Sequence, residues 1–494
     1  MSAPAKVSAR ELIESVVDPG SYVSWDTPPE RTGVSEGYAR QLRAAQERSG
    51  VDEAVITGEA LVRGRRVALA ACEFGFLAGS IGVAAARRLV RAIERATAER
   101  LPLLASPTSG GTRMQEGTVA FVEMARISAA IARHKSAGLA YLVYLRNPTT
   151  GGVMASWGSL GHVTVAEPGA LLGFLGPRVY EALYCEPFPP DVQTAENLFA
   201  HGLIDGVVSP EELPEIVDRA LAVVTAHPPE VVPDPGTGAD LPDVDAWESI
   251  ERSRRPERPG VRRFLRYAAS DVIPLNGTGQ GETDPGLLLA LARFEGAPCV
   301  LLGEDRRGQS ELTPLGPGAL RAARRGMQLA RQLRLPLVTV IDTPGAALSV
   351  EAEERGLAGE IARCLADLVT LEAPSVTVLL GQGSGGGALA LLPANRVIAA
   401  QHAWLSPLPP EGASAIMYRT PDRAAEMARQ QGVRSADLLA AGIVDRIVPE
   451  LPDAADEPEE FCRRLGTVLR YELTQLASLS PHTLLARRLQ RYGG

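Results

Sequence analysis

The chain has 494 residues, 45% hydrophobic and 22% charged, room for roughly two to four domains with large buried cores. Its net charge of −9, with lysine confined to Lys6 and Lys135, argues against a nucleic-acid surface and leaves anion binding to arginine or backbone N–H groups. Five scattered cysteines (Cys72, Cys185, Cys299, Cys364 and Cys462) form no C-x-x-C pair, which argues against disulfides and zinc; the lack of a signal core or membrane-length apolar run predicts a cytoplasmic protein.

Residues 1–50 are polar and mixed and read as an N-terminal extension, with a short helix at Ala9–Val17. A first folded region is expected over residues 51–227. There Arg66–Cys72, Leu101–Ser106 and Leu139–Leu145 read as buried strands, and Gly79–Arg95 and Gln115–Lys135 as helices. Val163–Ala166 and Ala170–Phe174 read as further short strands, and Glu196–Gly202 as a helix stopped by its glycine. Residues 228–262, rich in proline and charge, read as a linker.

A second folded region, 263–494, then repeats the first. Pro298–Leu302, Leu335–Ile341 and Ser375–Leu380 match the three strands in order. Leu101-Pro102-Leu103 recurs as Leu335-Pro336-Leu337, and Gly151-Gly152 as Gly385-Gly386, both 234 positions downstream (336 − 102 and 385 − 151). Leu198–Asp205 recurs as Leu438–Asp445, 240 positions downstream (442 − 202). A repeat this long is no solenoid unit; it predicts two tandem copies of one α/β domain with mostly parallel strands.

Two stretches carry the chemistry. Asn147–Ser156 and Gly381–Ala388 each follow a strand, contain paired glycines and lead into a helix start. Taken singly, each is an ordinary tight turn; in matching places they suggest outward backbone N–H groups for a developing negative oxygen. Gly381-x-Gly383-x-x-Gly386 matches the dinucleotide fingerprint, but the acid expected about 20 residues later is missing. There is no P-loop and no G-x-S-x-G elbow. The six histidines form no metal pattern, and Glu353-Glu354 reads as a solvated helix face. Duplicated oxyanion donors without an evident base suggest that the substrate carries the proton chemistry.

The first half resembles the β subunit of bacterial acetyl-CoA carboxylase carboxyltransferase. The resemblance lies in Phe74-Gly-Phe-Leu-Ala-Gly-Ser-Ile-Gly82, Ser109-Gly-Gly-Thr-Arg-Met-Gln-Glu116, Asn147-Pro-Thr-Thr-Gly-Gly-Val153 and Ala166-Glu-Pro-Gly-Ala-Leu-Leu-Gly-Phe-Leu-Gly-Pro-Arg-Val179. The second half resembles the α subunit, through Ile341-Asp-Thr-Pro-Gly-Ala346, Glu351-Ala-Glu-Glu-Arg-Gly356, Gly383-Ser-Gly-Gly-Gly-Ala-Leu-Ala390 and Pro410-Glu-Gly-Ala-Ser414.

The resemblance implies two tandem crotonase-like domains, each a spiral of ββα units. It implies transfer of a carboxyl group from carboxybiotin to acetyl-CoA, giving malonyl-CoA. Carried over, Gly151 and Gly152 hold the thioester oxygen, and Gly386 and Gly387, with Gly385 beside them, hold the biotin ureido oxygen. Loss of CO₂ from carboxybiotin gives an enolate that takes the acyl α-proton, and the acyl enolate attacks CO₂. Both steps put negative charge on a carbonyl oxygen, which is what two holes serve. Ser80, Gly82, Gly110, Gly111, Arg178 and Ala388 complete the implied substrate-binding set.

The implied partners are a biotinylated carrier and a biotin carboxylase, because neither an ATP-binding nor a Met-Lys-Met motif is present, together with a second copy of the chain as homodimer or higher homo-oligomer. No metal, nucleic acid or membrane partner is expected. The chain departs from the family pattern in lacking a four-cysteine zinc ribbon, in Gln382 where Glu is common, and in the longer Leu405–Gly412 segment. The alternatives are a biotin-independent decarboxylase of malonyl- or methylmalonyl-thioesters and an inactive regulatory homologue.

Overall fold

The computed structural model describes residues 7–31, 33–226, 232–236, 241–310 and 313–493, except the side chains of Pro177 and Arg178. The chain divides into two compact units, Met1–Leu221 with Gly279–Gly281, and Ala222–Thr278 with Glu282–Gly494. The division falls inside the helix Leu213–Val224, a few residues before the composition shift.

The first unit contains β1 (Val23–Ser24), β2 (Val55–Val62), β3 (Arg65–Cys72), β4 (Leu103–Ser106), β5 (Tyr141–Leu145), β6 (Thr149–Thr150), β7 (Val163–Ala166), β8 (Leu172–Gly173) and β9 (Gly206–Val207). The main sheet runs β1-β2-β3-β4-β5-β7-β9, and β6 pairs with β8. β1, β2 and β3 are antiparallel, and every later pair is parallel. β4 and β5 are buried at every position, as expected of parallel strands covered on both faces. The helix Val83–Ala98 buries Ala85, Leu89, Ala92, Ile93 and Ala96 at helical spacing. Ala85, Leu89, Ile93 and Ala96 join residues of β3 and β5 and Trp157 in one core.

The described residues 7–31 and 33–50, expected as an extension, fall within this unit. Ala9–Val16 is a helix with a capping box from Ser8 and Glu11, and it buries Leu12, Ile13 and Val16. A second helix, Glu36–Ser49, starts at the Ser35 cap and stops at Gly50, which is left-handed at φ +71°.

The second unit contains β10 (Ala269–Leu275), β11 (Leu287–Phe294), β12 (Ala297–Glu304), β13 (Leu337–Thr343), β14 (Ser375–Ser384), β15 (Arg396–Ala400), β16 (Trp404–Ser406) and β17 (Arg446–Val448). Its sheet runs β10-β11-β12-β13-β14-β15-β17, with β16 on β14. Here too the first three strands are antiparallel and the rest parallel. The cross-strand pair Leu103↔Tyr141 has its counterpart in Leu337↔Ser375, and Val165↔Gly206 in Ile398↔Arg446.

Part of the expected linker is folded. Ala246–Ser253 is a helix capped by Asp245, and Ala246 and Ile250 pack with Trp404, Ala428 and Val433. The buried positions of this helix are mostly Ala and Ser, so composition conceals it. The segments 227–231 and 237–240 lie outside the described residues. Among the described residues, no helix is long and apolar enough to cross a membrane.

Candidate functional site

In the first unit the chain leaves β5 and enters β6, where Thr149 bridges to Ser109. Gly151 then turns left-handed at φ +60° and opens the helix Gly151–Met154. Its N–H donates to Phe174 O at 3.1 Å. The Gly152 N–H, in the first helical turn, has no acceptor among the described residues. Gly111 sits beside it at φ +109°, and its N–H donates to Ser109 Oγ at 3.0 Å. A Cβ on Gly111 would lie 3.4 Å from the Gly152 nitrogen, so glycine at 111 leaves that donor uncovered. Thr112, Met124 and Ser156 flank Gly152, and none titrates near neutrality.

The second unit repeats the arrangement. Gly345, at φ +142°, donates its N–H to Thr343 Oγ1 at 3.1 Å, as Gly111 does to Ser109. The bridge Ile81↔Thr112 has its counterpart in Leu315↔Ala346. Gly385 turns at φ +64° and opens the helix Gly385–Leu389. Gly385 and Gly386 therefore stand where Gly151 and Gly152 stand, and Gly387 lies one residue further on. The Gly386 and Gly387 N–H groups have no acceptor among the described residues. A Cβ on Gly386 would lie 2.7 Å from Ile361 Cδ1, and one on Gly387 3.3 Å from the Ala346 nitrogen. Ala388 is buried beneath the turn.

The remaining expected residues have structural settings. Ser80 Oγ donates to Leu77 O at 2.8 Å, and Arg113 Nη2 donates to Ser80 O at 2.8 Å. Gly82 makes room for Glu116, whose Oε2 accepts the Val83 N–H at 2.6 Å. Arg113 is paired with Glu53 at 2.6 Å in a fully buried contact. Burial pushes the Glu53 carboxyl up, but Arg113 outweighs it and holds that carboxyl below its usual range. The Gly110 N–H is taken by Ala78 O at 3.0 Å. Arg178 lies in the helix Pro177–Tyr184, and its side chain is outside the described residues.

Sequence reading missed Leu77 and Ala78, which are left-handed at φ +47° and +57° immediately before Gly79. Two consecutive non-glycine residues in that region store strain, a signature of functional loops. The only signal in the sequence is the Phe74–Gly82 motif that contains them. The buried His402–Glu450–Asp453 cluster has metal-like spacing, but arginines already occupy it. Arg258 Nη2 donates to Glu450 at 2.6 Å, and Arg255 lies 3.3 Å from Asp453.

A family model for the carboxyl transferase domain matches residues 3–484. The chain belongs to the carboxyl transferase domain family. It is 61% identical over 99% of its length, and 98% of the relative's, to a probable biotin-dependent acyl-coenzyme A carboxylase beta3 subunit of Mycobacterium tuberculosis. It is 36% identical, over 99% of its length and 86% of the relative's, to acetyl-coenzyme A carboxylase carboxyl transferase subunits beta/alpha of Parafrankia sp.. Among solved structures, transcarboxylase 12S superposes with a TM-score of 0.73 at 21% identity, covering 94% of this chain and 90% of that one. The likeness shows that the chain shares the mixed α/β fold of that structure.

Proposed function

We propose that this carboxyltransferase serves a biotin-dependent acyl-CoA carboxylase and moves the carboxyl group of carboxybiotin to acetyl-CoA, giving malonyl-CoA for lipid precursor supply. The observation that carries this reading is the duplicated glycine turn, each copy with a first-turn N–H left without an acceptor and a glycine of positive φ beside it. The Gly152 N–H serves the thioester oxygen; Gly151, expected beside it as a second donor, has its own N–H held by Phe174 O and instead sets the turn, with Gly110 and Gly111 shaping the approach. Gly386, with Gly385 and Gly387 around it, serves the ureido oxygen of biotin. An oxyanion-hole donor is worth about 3 kcal/mol of barrier. The reading includes two crotonase-like copies of one domain, β-like then α-like, supported by the matching registers. It also includes a homo-oligomer working in the cytoplasm with a separate biotinylated carrier and biotin carboxylase, and Ser80, Gly82, Arg178 and Ala388 as further residues around the bound substrates.

The test is the reverse reaction on the purified chain, malonyl-CoA with and without free biotin. Acetyl-CoA formed only with biotin is the expected result. Acetyl-CoA formed without biotin makes the protein a decarboxylase. Faster turnover of methylmalonyl-CoA moves the acceptor to propionyl-CoA.

A further inference from the structure

The ladder between β13 and β14 is regular through Ile341↔Leu379 and resumes at Thr343↔Gly383, so β14 bulges at Leu380–Gln382. This bulge aims the chain at Ser384–Gly387. Buried side chains, rather than strand neighbours, hold two of its backbone groups. Arg258 Nη2 donates to Leu380 O at 3.0 Å, and the Gln382 N–H donates to Asp342 Oδ1 at 3.1 Å. Asp342 is in turn tied to the end of β12, where its N–H donates to Glu304 Oε2 at 2.9 Å.

Glu304 and Asp342 are thus two carboxyl groups at neighbouring strand ends, 0% and 1% exposed. Each has one buried oxygen, Glu304 Oε1 and Asp342 Oδ2, with no hydrogen-bond partner. The charges around them are unequally shared. Arg306 Nε lies 3.7 Å from Asp342 Oδ2. Arg258, across the bulge, is neutralised by Glu450, and Asp305 is paired with Arg262. Among the described residues, no cation is paired with Glu304. An ionised Glu304 beside an ionised Asp342 would be an uncompensated buried charge.

We propose that Glu304 is a positioning residue that carries a proton at neutral pH, and that this proton keeps Asp342 on the Gln382 N–H and the second glycine turn in shape. Burial pushes the Glu304 carboxyl well above its ordinary range, and the neighbouring Asp342 charge adds to the effect. Burial raises Asp342 as well, but Arg306 opposes it there, so the proton belongs on Glu304. When Glu304 ionises, Asp342 is repelled and its hold on Gln382 is lost. The functional consequence rests on the carboxyltransferase reading of that turn; the proton itself does not.

The sign of the pH effect follows from linkage. A carboxyl with a raised folded pKa binds its proton more tightly when folded, so its contribution is complete below the ordinary carboxylate range. It drains away as pH rises toward the folded value. Glu304→Gln keeps the neutral shape without a proton to lose. Its melting temperature is expected to gain on wild type as pH rises above that range. Infrared difference spectra of the full chain at neutral pH should show a protonated-carboxyl C=O band that Glu304→Gln removes. The rate of biotin-dependent malonyl-CoA decarboxylation should fall at alkaline pH in wild type and hold in Glu304→Gln. A missing band, or parallel melting curves for the two proteins, overturns the proton assignment even if the chain has another activity. A band with identical alkaline rate profiles overturns the positioning role.

Discussion

In the first unit, buried Arg146 follows β5 and gives all its hydrogen bonds to neutral acceptors, with Glu73 and Glu167 as the nearby carboxylates. Its Nε donates to Ser106 Oγ at 3.0 Å and its Nη1 to Val7 O at 3.0 Å, with Cys72 O as a third acceptor. In the second unit, the corresponding stretch is a bulge stitched by Arg258 and Asp342, with Glu450 and Glu304 behind them. The backbone device is shared, while the charged groups that hold it differ: an arginine in the first unit, an arginine and a carboxyl group in the second. The first turn follows a desolvated cation, a setting friendly to a developing anion. The second lies over two carboxyl groups, a setting friendly to an anion only if one of them is neutral. The two units share the hydrogen-bond ladder, because register is fixed by the buried faces. The groups that plug the strand ends are free to diverge.

The strongest test of the shared device is to fill the space at both glycine turns. Gly152→Val and Gly386→Val are each expected to lower biotin-dependent turnover by about 100-fold or more. Both should fold, because the new Cβ meets side chains, Thr112 Oγ1 at 2.9 Å in one and Ile361 Cδ1 at 2.7 Å in the other. Gly387→Val differs, since its Cβ meets the Ala346 backbone nitrogen at 3.3 Å as well as Leu315 Cδ2 at 3.0 Å, so it should also melt earlier. Wild-type turnover in either of the first two variants removes that turn from the site.

The next test separates the two arginines. Arg258→Met leaves Glu450 buried and unpaired, which costs about 3–5 kcal/mol. Arg146→Met strands only neutral acceptors, which costs about 1–3 kcal/mol. Denaturant unfolding of both variants checks the order. Equal losses would mean that the Arg258–Glu450 pair is not the main anchor of the bulge.

The sequence exposed the parts of this comparison that depend on continuous burial. β4, β5 and the stretches Leu337–Ile341 of β13 and Ser375–Leu380 of β14 are parallel, buried and mostly apolar, so each reads as a strand. β2 was hidden because Thr57-Gly58-Glu59 interrupts its apolar run, and pairing with β1 and β3 makes it a strand. β11 was hidden for the opposite reason: Leu287–Phe294 is so uniformly apolar and Leu/Ala-rich that its period does not separate strand from helix. Both glycine turns were visible as strand, glycine pair and helix start. Their flanks were not. Gly345 lies far from Gly386 in sequence, and nothing local marks Leu77 and Ala78 as left-handed. Glu304 and Asp342 read as separate acids until the topology sets β12 beside β13.

The finest distinction concerns the flanking glycines. Gly111 and Gly345 hold positive φ of +109° and +142°, so alanine at either strains the backbone by about 1–3 kcal/mol. Their surroundings differ. A Cβ at 111 approaches the Gly152 nitrogen at 3.4 Å, whereas a Cβ at 345 meets nothing within 4 Å. Gly111→Ala and Gly345→Ala should therefore lose similar stability in thermal unfolding, but Gly111→Ala should lose more turnover because it also crowds the donor. Equal losses in turnover would mean that strain alone sets both, and that the open face of the Gly152 N–H is not where the thioester oxygen binds. A larger loss in Gly345→Ala would reverse the roles of the two flanks and make the second turn the more demanding of the pair.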